Sequence, residues 1–100
     1  MQNFRTFTLA VDFSKRAKAI PLPYSVKDQL TRASMSIALN LAEGRGRATI
    51  KEQKRFFNIA FGSAKECKAI LMIEELEDTE EYQLLDRLTA SLYCLIKKAS

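Results

Sequence analysis

AEGRGRATIKEQKRFF, residues 42–57, decides the fold of this chain, because one helix has to stop within it and another has to start. Gly44 is a natural C-terminal residue for the apolar pattern that precedes it. Gly46 gives the chain a second permissive position. Thr49 and Glu52 then have the spacing of a capping box, so a new helix begins there. The stretch is therefore a tight helix–turn–helix junction. It also carries five basic residues, Arg45, Arg47, Lys51, Lys54 and Arg55, within eleven positions.

Working outward, the segment before the turn reads as a helix from Ser25 to about Glu43, with Ser25 and Asp28 at roughly capping-box spacing. At about 100° per residue, Val26, Leu30, Ala33, Ile37 and Leu41 fall on one side of it. Met35, Ala38, Leu39 and Ala42 fall roughly opposite. A helix apolar on two sides is expected to lie between two neighbours. The segment after the turn is a long helix reaching to about Glu77. Its polar face is narrow: Lys51, Lys54, Arg55, Asn58, Gly62, Lys65 and Glu66. Gly62 costs about 1 kcal/mol there relative to alanine, and close packing against a neighbouring backbone is the expected reason for it.

Two flanking helices complete the pattern. The first runs from about Arg5 to Lys18 and ends at Ile20-Pro21-Leu22-Pro23, since proline cannot continue a helix. The last starts near Thr79, with Glu80 and Glu81 in its first turn and Lys97 and Lys98 in its last, both matched to the helix dipole. Leu84, Leu85, Leu88, Leu92, Leu95 and Ile96 form its stripe. No segment shows strand alternation. The fold class is all-α: an antiparallel up-down four-helix bundle with short connections. Surplus apolar surface on helices two and three predicts a homo-oligomer.

One hundred residues at 47% hydrophobic and 28% charged make one globular domain, residues 1–100. Charge is uneven. Residues 1–72 hold 13 Lys and Arg against 5 Asp and Glu, while residues 73–100 hold 3 against 7. A basic body with an acidic end permits an anionic partner, and equally permits head-to-tail self-association. Cys67 and Cys94 sit inside apolar helical patterns and read as small buried hydrophobes, which suits a reducing cytoplasm. The N-terminal residues lack the basic-then-apolar order of a signal peptide. No apolar run is long enough to cross a bilayer, so no membrane role is expected.

The basic turn is not a phosphate loop of the nucleotide-binding kind. It follows a helix rather than a strand, and it lacks the Lys-Ser/Thr ending. Two readings of the cluster stand. Lys51, Lys54 and Arg55 share one exposed helix face, continued by Asn58 and Lys65. With Arg45 and Arg47 they could hold phosphates with strong salt dependence and little sequence preference. Equally, they could be a solvated face that keeps an oligomer soluble. No aromatic platform for base stacking stands out in the sequence.

Catalysis has little to work with. There is no histidine, which removes the commonest general base and the Glu-x-x-His pairs of a di-iron bundle. Neither cysteine has a basic partner set by local spacing. The acids Glu74, Glu75, Glu77, Asp78, Glu80 and Glu81 read as a solvated helix–helix turn. The expectation is no enzyme, no cofactor and no metal site.

IALNLAEGRGR followed by RFFNIAFGSAKE resembles the signature of the four-helix-bundle proteins encoded in intervening sequences of bacterial 23S ribosomal RNA genes. The likeness spans the whole chain and rests on Asn40, Ala42, Glu43, Gly44, Gly46 and Arg47, then Phe56, Ala60, Gly62, Ser63 and Glu66. A related branch includes the accessory variability protein of diversity-generating retroelements. The resemblance implies a ring-like homopentamer. In the retroelement branch it implies RNA or DNA and a reverse transcriptase as partners. It also implies structural roles for Asn40, Glu43 and Arg47, at the turn or against a neighbouring subunit. The family commonly has a proline shortly before the signature asparagine. Ser36-Ile37-Ala38-Leu39 stands there in this chain, so no kink is carried over.

Overall fold

The computed structural model describes residues 2–99, which form four helices and no strand: α1 (Gln2–Ala19), α2 (Tyr24–Arg45), α3 (Ile50–Ile73) and α4 (Glu80–Lys98). Within this span α1 packs on α2 and α4, α3 packs on the same two, and the diagonal pairs stand apart. The body measures 40 × 22 × 19 Å. Neighbours run antiparallel. Gly44 meets Phe57 near the α2–α3 turn, and Ser36 meets Ser63 further along. Thr6 bonds Ser91 at one end of the α1–α4 pair, and Arg16 reaches Glu80 at the other.

The helix starts follow their caps, with one exception. Thr49 Oγ1 accepts the Glu52 amide at 3.1 Å and Thr79 Oγ1 accepts the Tyr82 amide at 3.2 Å. At α2 the Ser25 cap is not used. The chain enters the helix at Pro23, whose φ of −54° and ψ of 148° lead straight into the first turn. The Pro23 carbonyl accepts the Lys27 amide at 2.9 Å. Ser25 is then already helical, because proline's fixed φ supplies what a polar cap would otherwise have to organise.

The helix stops differ more. α2 runs on to Arg45, so Gly44 is buried inside it and Gly46 is the C-cap. Gly46 has φ −83°, an ordinary right-handed value, so no left-handed geometry is needed there. Gly44 is required by proximity instead: a Cβ on it would lie 2.8 Å from Phe57 Cε1 and 2.9 Å from Phe56 Cβ. α3 ends at Ile73, short of Glu77. Leu76 N donates to Leu71 O at 2.8 Å and Glu75 N to Met72 O at 3.0 Å. That pair of bonds is a Schellman motif, with Glu75 at the left-handed position, φ 60°. Leu76 turns back onto the core and terminates the helix.

The core is built from Phe13, Leu30, Ile37, Phe57, Leu71, Leu85, Leu88 and Leu92, with Ala10, Ala17, Ala60 and Ala64 letting the helices close. Two expectations fail here and a third holds only in part. Cys67 is buried, but Cys94 is exposed. Cys94 lies two residues from Leu92, about 200° around α4 and away from the core. Gly62 has nothing within 4 Å of an added Cβ, so no backbone packs on it. It sits two residues from both Ala60 and Ala64, on the side opposite those buried positions. α2 does lie between α1 and α3 as expected, but its second apolar face is only partly covered. Met35 is 41% exposed and Leu39 62%. With Phe7 and Val11 of α1 they line an open groove of about 300 Å³.

Candidate nucleic-acid interface

The antiparallel arrangement decides which charges meet. The α2–α3 turn, the N-terminal part of α1 and the C-terminal turn of α4 share one end of the bundle. That end gathers Arg45, Arg47, Lys51, Lys54 and Arg55 as the turn sequence suggests. It also gathers Arg5, Lys97 and Lys98, which the sequence reading missed. Arg5 and Lys98 line one small cleft with Thr6, Ser91 and Cys94. The signal was available: once four helices run antiparallel, the start of the first and the end of the fourth fall at the same end as the α2–α3 turn. The opposite end carries Glu74, Glu75, Glu77, Asp78, Glu80 and Glu81. The chain is thus electrically polar along its long axis.

The basic end is held in shape by its own turn. Gln53 Nε2 donates to the Arg47 carbonyl at 2.9 Å, spanning the turn from the first turn of α3. Arg47 N donates to Gly44 O at 3.1 Å. The Arg47 guanidinium pairs with Glu43 one helical turn back. Arg55 pairs with Glu52 at 3.7 Å. Both guanidiniums also rest on the Phe56 ring, at 4.8 Å and 4.7 Å from its centroid. An exposed cation–π contact contributes about 0.5–1 kcal/mol, enough to bias the side chains without locking them. The two ion pairs are solvent-exposed and worth about 0–1 kcal/mol each, so phosphate oxygens can replace their carboxylates at little cost.

Lys65 does not join this cluster. It lies eleven residues beyond Lys54, about 16 Å along α3, with its ammonium 5.7 Å from the Phe61 ring centroid. Asn58 turns its amide back to the Lys54 carbonyl at 2.9 Å. The remaining signature positions are mostly a seam between α2 and α3. Asn40 Nδ2 donates to Ser36 O at 2.8 Å and to Ser36 Oγ at 3.1 Å. Ser36 and Ser63 share a hydroxyl bond of 2.8 Å across the two helices. Ala60 is buried beside them, Phe56 half-buried, and Gly62 and Glu66 face outward.

The family model of the 23S rRNA-intervening sequence protein matches residues 5–98. The chain belongs to this family. No curated protein and no solved structure matches it. As a 23S rRNA-intervening sequence protein, it places Asn40, Glu43, Gly44, Arg47, Phe56, Ala60 and Ser63 along the α2–α3 seam and its turn. The same junction that stitches the fold presents the basic end.

Other chemistry finds less support among the described residues. Burial, with a smaller push from Glu66, raises the Cys67 thiol to about 12, far from a reactive thiolate. No three carboxylates or thiols are grouped to hold a metal ion. No helix is long and apolar enough to cross a membrane.

Proposed function

We propose that this protein is a non-enzymatic, cytoplasmic, homo-oligomeric up-down bundle that binds RNA or DNA through its basic end. One observation carries the reading: Arg45, Arg47, Lys51, Lys54 and Arg55 share one end with Arg5, Lys97 and Lys98, opposed there by Glu43 and Glu52. Like charges gathered at one end repel, and a polyanion relieves that repulsion while releasing its own counterions. Self-association is supported by the exposed Met35 and Leu39 on α2 and Ile59 on α3. The family resemblance supports a copy number of five, as a ring, and a reverse transcriptase or another protein as a further partner. In such a ring the basic ends would act together, and weak phosphate contacts would gain by multivalency.

The test is size-exclusion chromatography with light scattering, with and without RNA and DNA oligonucleotides at low salt. A five-subunit species that shifts with nucleic acid is expected. If the five turn residues each neutralise one phosphate, log affinity for a single strand falls with log salt at a slope of about −3.5 per subunit. Replacing Arg45, Arg47 and Lys51 by glutamate should abolish the shift and leave the oligomer intact. An oligomer that ignores nucleic acid at low salt would refute the reading. It would favour a protein-interaction module instead.

A further inference from the structure

Away from the basic end, a second surface combines cations with aromatic rings. It lies along the α3–α4 groove, a depression of about 400 Å³ lined by Phe61, Lys68, Asp86, Thr89 and Tyr93, among others. Phe61 and Tyr93 stand with ring centroids 6.4 Å apart and planes tilted by 47°. Tyr93 is 54% exposed. Lys65 Nζ lies 5.7 Å from the Phe61 centroid and Lys97 Nζ 5.8 Å from that of Tyr93. Lys54, Asn58, Phe61, Lys65 and Lys68 recur at three- and four-residue spacing, so one stripe of α3 leads from the basic end into the groove. The groove ends where Lys68 is neutralised by Asp86 at 2.6 Å, on the way to the acidic turn.

Resting on the nucleic-acid reading above, we propose that this groove binds a single-stranded segment whose backbone comes from the basic end, with a base stacked on Tyr93 beside Phe61. Phosphates alone would need only cations. An aromatic pair left half in water among lysines fits a ligand with both a flat apolar face and a negative backbone, and unpaired nucleotides have both. A duplex keeps its bases stacked inside and offers the ring nothing. Lys65 and Lys97 supply the phosphate contacts, while Lys68, already neutralised by Asp86, offers none, and the carboxylates beyond repel the strand and set where it stops.

The experiment compares anisotropy of fluorescein-labelled oligothymidylate, oligouridylate and a DNA duplex of equal length, using the intact protein at low salt. Tyr93→Ala should weaken both single strands about five- to a hundredfold and leave the duplex unchanged. Tyr93→Phe, which keeps the ring, should restore binding. Lys65→Gln and Lys97→Gln should each lower the single-strand salt slope by about 0.7. Equal weakening of single strand and duplex by Tyr93→Ala, or no weakening of either, overturns the groove. If charge reversal at Arg45, Arg47 and Lys51 still abolishes binding in that case, the basic-end reading survives. Wild-type protein that binds none of the three probes overturns both.

Discussion

Gly44 and Gly62 make a matched pair on which the packing of α2 against α3 can be tested. Both are helical, and both are replaced by alanine without adding a polar group. At Gly62 the added methyl meets open space. The substitution should therefore stabilise by close to the full helix-propensity difference, about 1 kcal/mol. At Gly44 the propensity gain is smaller, because the residue lies in the last turn of α2. The methyl there would lie 2.8 Å and 3.0 Å from Phe57 ring atoms and 2.9 Å from Phe56 Cβ. The Phe57 ring is 2% exposed and boxed into the core, and Phe56 Cβ is tied to the α3 backbone. Neither can simply rotate away, so α3 must shift. Overpacking of this kind costs about 1–3 kcal/mol.

The two variants should consequently fall on opposite sides of wild type, about 2–3 kcal/mol apart. For a domain this size 1 kcal/mol corresponds to about 4–8 °C in the thermal midpoint. Gly62→Ala should melt above wild type and Gly44→Ala below it, measured by circular dichroism at equal protein concentration. A Gly44→Ala protein as stable as wild type would refute the close approach of α2 and α3. A Gly62→Ala protein less stable than wild type would mean that something covers Gly62 in solution, contrary to the open face.

Glu75 occupies a left-handed position that an L-residue adopts at a cost of about 1–2 kcal/mol, so Glu75→Gly should raise the urea midpoint with an unchanged m-value. A fall in the midpoint would show that the Schellman turn is not formed as described. Burial pushes the Cys67 thiol from 9.0 up to about 12. With the folded value above the unfolded one, this group's contribution to stability is complete below pH 9 and is lost as pH rises toward 12, at about 1.4 kcal/mol per unit. Urea titrations at alkaline pH should show that loss, and Cys67→Ala should flatten it; an unchanged slope in the variant would place the thiol in contact with water.

The sequence made the four helices legible because each apolar stripe is long and each break is chemically marked. Thr49 caps where its spacing to Glu52 says it should, and the last helix starts at Thr79 as expected. What escaped depended on tertiary geometry. Gly44 reads as a helix stop on sequence grounds alone, and only the nearness of Phe56 and Phe57 reveals it as a contact residue. Glu75 carries no left-handed signal, since the turn is imposed by Leu76 folding back onto the core. Cys94 and Gly62 could have been placed outside by counting 200° from Leu92 and from Ala60. Within the candidate site, the five turn residues were visible as a cluster. Arg5, Lys97 and Lys98 are remote from the turn in sequence, and only the antiparallel topology inferred for the bundle places them at the same end. The stacking of Arg47 and Arg55 on Phe56 likewise joins residues whose side chains the helical pattern alone assigns to different roles.

Fold and charge are separable at the α2–α3 junction, and that separation is what makes the functional proposals testable. The junction's geometry is set by atoms that a charge reversal leaves alone: the missing Cβ of Gly44, the Thr49 cap, the Gln53 amide on the Arg47 carbonyl and the Ser36–Ser63 bond. Two of the basic side chains contribute little to holding it. Arg47 and Arg55 each make one exposed ion pair and one ring contact, terms of order 1 kcal/mol or less. A backbone contact such as that of Gln53 with Arg47 survives any substitution of the arginine side chain. Under the proposed function, the end of the bundle where the turn, α1 and α4 converge is where a polyanion has the most charge to meet, and a charge reversal there tests binding apart from folding.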